Sequence, residues 1–315
     1  RQAQEENLAR LQAEETLVRG VGALAPSADV LEEYLSAQVP AFEKRLRDNG
    51  ADSETARKQT ASLRAQTAAQ CVRYSLSCGD EQTAAQVLEK YGQTMNPAER
   101  EECAQKVRFA AADLYARQLW NRARGETDGS PQARAQWVDK QTANIQNKAL
   151  RQDVCRTSQT LFKQAEAELH QQQASFYRQM CKAEESEKMR LLNAQHVLSG
   201  EEAELARREG GSVSDPERFN KLYFSSSEKE ISNALQKGQL STQDYYLLQA
   251  LRHERAAGKN ETEDRLLCRG IDLWGKKKGL AEPQAQEAKY AVLSVSGGTD
   301  ERLAAWRRVK ALFEF

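Results

Sequence analysis

The chain has 315 residues, of which 39% are hydrophobic and 29% charged. Lys plus Arg and Asp plus Glu both number 46, so no global field draws nucleic acid or anionic lipid to it. No apolar run approaches the roughly 20 residues that span a bilayer, and the scarcity of Gly (17) and Pro (6) favours helices with narrow buried stripes.

Residues 2–18 read as a polar helix with a thin stripe of Leu8, Leu11 and Leu17, broken by Gly20, Gly22 and Pro26. Arg1, not Met, stands first, as expected of a processed or trimmed chain. Ser27 caps the next helix, where Leu31, Leu35, Phe42 and Leu46 keep a helical period across Pro40. Either the helix kinks there or a second one opens with Pro at its first position.

Residues 52–77 read as one helix, Cys78-Gly79-Asp80 as a tight turn, and residues 81–91 as a shorter helix with Ala84, Val87, Leu88 and Tyr91 on one face. Asn96-Pro97-Ala98-Glu99 is a strong start signal: Asn as N-cap, Pro at the first position, Glu at the third. The helix it opens is expected to end near Ala123 and to bury Cys103, Val107, Ala110 and Leu114. The order helix, Gly-Asp turn, helix, Pro, helix is that of a tetratricopeptide-type pair, without a second copy at a fixed period.

Residues 124–130 form the expected linker, and Ser130-Pro131 opens a long helical region to about Gln195, with an interruption near Ile145-Gln146-Asn147. Its apolar positions, Leu150, Val154, Leu161, Ala165, Leu169, Phe176 and Met180, fall mostly three, four or seven apart. That stripe is coiled-coil-like and too thin for a globular core, so it calls for a partner helix from this chain or another copy. Leu150, Val154, Leu161, Leu169, Phe176 and Met180 are the candidate assembly residues.

Beyond it lie short helices of globular spacing, opened by Ser199 with Glu202, Ser227 with Glu230, Ser241 with Asp244, and Asp215-Pro216. Phe219, Leu222, Tyr223, Phe224, Tyr245, Tyr246, Leu247 and Leu248 are core candidates, with Trp274 and Trp306 on later helices. Residues 290–296 read equally as strand or helix end. Trp120 and Trp137 flank the linker, where they either dock the first domain on the arm or anchor their own helices. The expected architecture is all-α: a helical domain over 1–124, an arm over 130–198 and a C-terminal helical domain over 199–315.

Chemistry-bearing patterns are sparse. Lys276 to Lys278, then Arg307, Arg308 and Lys310, read as solvated helix ends. The six cysteines, at 71, 78, 103, 155, 181 and 268, form no CxxC pair and read as reduced thiols, with a cytoplasmic place of synthesis. His170, His196 and His253 lie in different segments and read as exposed helix residues; His253-Glu254 lacks the second zincin histidine, Ala257 standing there. Glu184, Glu185 and Glu187 read as a solvated face. No nucleotide cradle and no nucleophile elbow occurs. Catalytic residues, cofactor and metal are all expected to be none. An enzyme would require a pocket gathering distant residues, for instance His253 with carboxylates.

From Ser27 to Arg124 the chain resembles internal structural proteins of tailed bacteriophages and prophages. Asn49-Gly50, Gly79-Asp80, residues 84–91, Pro97-Ala-Glu-Arg100 and Leu119-Trp120 carry the resemblance, joined by Asp215-Pro-Glu-Arg-Phe219 and residues 240–247. It covers about two thirds of the chain and implies a virion component, packaged in the capsid or delivered with DNA, made in the host cytoplasm. Its partners would be copies of itself or other virion proteins. The rival reading is a bacterial tetratricopeptide-like adaptor that holds a peptide or partner protein in a groove between residues 52 and 124.

Overall fold

The computed structural model describes residues 27–225, 227–295 and 298–312, together with residues 9, 10, 12, 13, 16, 17 and 20; of residues 299 and 300 it describes the backbone alone. The expected Leu8 and Leu11, the breaks at Gly22 and Pro26, and Ser296 lie outside these. The described chain is helical, with no strand in it beyond an isolated bridge between Gly211 and Ser241. It divides into two compact units, residues 1–162 and 163–315.

In the first unit, α1 (Ala28–Asp48) starts on Ser27, whose hydroxyl accepts from Val30 N, and runs unbroken through Pro40. α2 (Ser53–Ser77) starts on Asp52, and α3 (Glu81–Tyr91) on Asp80 after Gly79, which holds φ +76°. That left-handed turn is one that Gly adopts without a Cβ penalty. α4 (Pro97–Glu126) opens on Asn96, whose Oδ1 accepts from Glu99 N at 2.8 Å. Leu31, Leu35 and Val39 pack on Ala65, Ala68, Ala69 and Val72 of α2, with Ala84, Val87 and Cys103 closing the core. Small residues on α2 let the neighbouring helices come close.

α4 departs from its expected stripe. Cys103 is buried, but Leu114 is 44% exposed, and Ala112, Ala116, Leu119 and Ala123 are buried instead. At about 100° per residue these lie opposite Cys103. The helix thus buries one face at its start and the reverse face further on, where α5 (Pro131–Thr142) packs. Arg134 lies 4.3 Å over the Trp120 ring and donates to its carbonyl at 3.0 Å, while Arg122 faces Trp137. Both tryptophans therefore knit α4 to α5. The expected linker is a hydrogen-bonded turn: Gly129 N donates to Thr127 Oγ1 and Ser130 N to Asp128 Oδ1.

α6 (Lys148–Lys182) begins after the interruption near residue 145 and contains the division between the units. The region expected as one arm over 130–198 is thus shared between two bodies. The helical region does reach Ala194, but with a second interruption: the chain breaks after Lys182 and α7 (Glu185–Ala194) restarts on Glu184. Glu185 and Glu187 occupy the first turn of α7, where carboxylates offset exposed backbone N–H groups.

The second unit continues with α8 (Gly200–Ala206), α9 (Pro216–Ser225), α10 (Glu228–Gln236), α11 (Thr242–Ala256), α12 (Glu263–Lys278), α13 (Glu282–Leu293) and α14 (Thr299–Leu312). Residues 290–293 are therefore helix. Ser199 forms a complete capping box with Glu202, and Ser227 and Ser241 cap α10 and α11. One core unites Phe176, Tyr177 and Met180 with Phe219, Leu222, Tyr223, Tyr245 to Leu248, Trp274 and Trp306. Phe224 is only half-buried against it. α9 meets α12 at Gly270, whose missing side chain leaves room for Asn220 to donate to the Gly270 carbonyl at 3.3 Å.

Candidate functional site

The candidate assembly stripe is covered unevenly. Val154 is buried in the first unit, beside an Asp153–Arg108 ion pair at 2.7 Å. Phe176 and Met180 are buried in the second unit, while Leu150, Leu161 and Leu169 are half-buried. In the first unit the stripe thus has Val154 buried with Leu150 and Leu161 half-buried, and in the second Phe176 and Met180 buried with Leu169 half-buried.

Two histidines correct the expectation of exposure. His170, His253 and Tyr177 meet between α6 and α11. Residues 170, 173 and 177 share one helical face by their spacing, so α6 presents His170, Gln173 and Tyr177 together. α11 is buried at every residue from Asp244 to Leu251, and this burial extends to His253 and Glu254, each 1% exposed. The Nδ1 atoms of the two histidines lie 3.1 Å apart, and Tyr177 stacks on His253 at 5.7 Å between ring centres. His196 alone is exposed.

Charges surround this pair. Arg252 Nη2 lies 2.8 Å from His253 Nε2 and 3.0 Å from Glu202 Oε1. Its Nη1 reaches Glu228 at 2.9 Å and its Nε reaches Gln249 Oε1 at 2.9 Å. Glu202, itself buried, also accepts from Ser199 N at 3.0 Å and stands 3.7 Å from His253 Nε2. A guanidinium only donates, so His253 Nε2 accepts from Arg252 and the proton of the neutral ring sits on Nδ1. Nδ1–H then donates to His170 Nδ1. Gln173 sends its amide nitrogen to the Val197 carbonyl at 3.0 Å, so its Oε1 stands 3.1 Å from the unprotonated His170 Nδ1, acceptor beside acceptor and without a hydrogen bond between them.

Burial, then Arg252 and His170, push His253 down to about 2. Burial likewise raises the Tyr177 phenol above its ordinary value. Next to the pair, Glu254 accepts from Arg178 at 3.1 Å and from Thr262 N at 2.6 Å, and Arg178 also binds Glu261.

This arrangement ties α6, α8, α10 and α11 together. A groove of about 570 Å³ is lined by Glu202 and Glu228 and by neither histidine. Among the described residues no three His, Cys, Asp or Glu side chains gather to hold a metal. Two imidazoles and an amide oxygen with a guanidinium 2.8 Å from one ring make a poor cation donor set. The six cysteines stand as free thiols, and no helix among the described residues is long and apolar enough to cross a membrane.

The sequence signal for the cluster was the polar pair His170 and Gln173 inside an apolar stripe, together with a continuous YYLLQAL run just before Arg252-His253. A helix apolar on all sides is buried on all sides, and its next residues go in with it. No protein-family model, curated protein or solved structure matches the chain.

Proposed function

We propose that this chain is a non-enzymatic structural protein of a phage or prophage particle, an internal, ejection-type component that acts by protein–protein assembly. The observation that carries the assembly reading is the uneven cover of α6. Leu150, Leu161 and Leu169 remain half-buried, while Val154, Phe176 and Met180 are buried. A partner helix laid on the half-buried leucines of either unit would complete the stripe there. The assignment to a particle rests on the turn and cap motifs named above, together with the all-helical build.

Particles purified on a density gradient from the parent bacterium test it. The chain should co-sediment with intact particles and resist added protease until they are opened. Recovery only in the particle-free fraction, with housekeeping genes beside its own, would remove the reading.

A groove of about 420 Å³ lined by Leu88, Gln93, Arg100, Ala104 and Val107, between α3 and α4, favours the adaptor as a second reading. It lies in the tetratricopeptide-like segment where a peptide would be held. Loss of peptide capture on Val107→Glu would support it.

A further inference from the structure

We propose that the His170–His253 contact is an acid-sensitive latch, which fastens the second half of α6 to α11 at neutral pH and lets go when His253 takes up a proton. This does not rest on the assembly reading. The geometry leaves His253 no place for an added proton. His253 Nε2 is occupied by Arg252 at 2.8 Å, and the Nδ1 atoms share one proton across 3.1 Å. Protonating His253 at Nε2 sets N–H against a guanidinium.

Two neighbours favour the proton, and both fall short. Gln173 Oε1 would welcome a donor from His170, but only by turning His170 Nδ1–H against His253. Glu202 is 3.7 Å from His253 Nε2, yet it is already engaged by Arg252 and Ser199 N. The remaining charged neighbours are neutralised elsewhere: Glu228 by Arg252, Glu254 by Arg178, and Glu263 of α12 by Arg255. Tyr177, stacked on His253, offers no charge. Desolvation and the adjacent Arg252 therefore dominate.

Release would bare Phe176, Tyr177 and Met180, which are buried in the closed unit. The latch is confined to residues 163–315, because residues 1–162 contain no histidine.

Amide hydrogen exchange of the whole chain, read by peptide mass spectrometry and corrected for intrinsic rates, tests this. A histidine that titrates near 6.5 only in the open state multiplies opening by about 25 between pH 7 and pH 5. Peptides from α11 should lose protection by about that factor, while those from α2 to α4 stay level. His253→Gln should flatten the dependence. Unchanged α11 protection, or equal loss in the first unit, would overturn the latch. Should His253→Gln fail to fold, the wild-type ring resonances decide: a His253 signal titrating near pH 6.5 in the folded chain overturns it, and one that stays neutral until the unit opens supports it.

Discussion

Arg252 and His253, neighbours in sequence, are also bonded side chain to side chain, with Nη2 of the one 2.8 Å from Nε2 of the other. The same guanidinium ties α8 through Glu202 and α10 through Glu228. Removing it strands a buried carboxylate and leaves an imidazole acceptor without its donor. Arg252→Met should destabilise residues 163–315 by about 3 kcal/mol, read as a lower urea midpoint for that unit. An unshifted midpoint would mean the network is slack.

The first unit should answer to acid in another range. Asp52 and Asp80 cap α2 and α3, and the backbone N–H groups of Thr55 and Thr83 hold their carboxyls below the usual value. Each is an acid with a depressed folded value, so its contribution is present above the unfolded value of about 3.9 and lost as pH falls through the folded one. The unfolding midpoint of residues 1–162 should stay level from pH 8 to 5 and fall below about 4. Asp52→Asn with Asp80→Asn should blunt that fall. A decline beginning near pH 6.5 would contradict the assignment, since no histidine lies there.

Gly270 sets how near α9 comes to α12. A Cβ there would stand 2.3 Å from Asn220 Oδ1 and 3.3 Å from the Phe219 ring. Gly270→Ala should cost about 2 kcal/mol by overpacking, measurable in thermal unfolding. Adding Asn220→Ala should recover part of it, because the closer obstacle is then gone.

Local chemistry made much of this fold legible. Caps are short-range devices, so Ser27, Asn96, Ser199, Ser227 and Ser241 announce their helices within four residues. Burial depends on partners distant in sequence, and there the reading went astray. Leu114 continues the period of Cys103 and Val107, yet α4 turns its other face inward where α5 arrives. His170 and His253 are separated by 83 residues, and neither carries a local mark of its partner. The half-cover of Leu161 and Leu169 was closer to hand, since a stripe with gaps filled by Gln already lacks apolar area.

Light scattering of the purified chain at neutral pH, over the micromolar range, bears most directly on assembly. The account predicts at least twice the mass of one chain, returning to a single chain in a Leu161→Glu, Leu169→Glu variant that still folds. A single-chain mass for the unaltered protein at every concentration would contradict it.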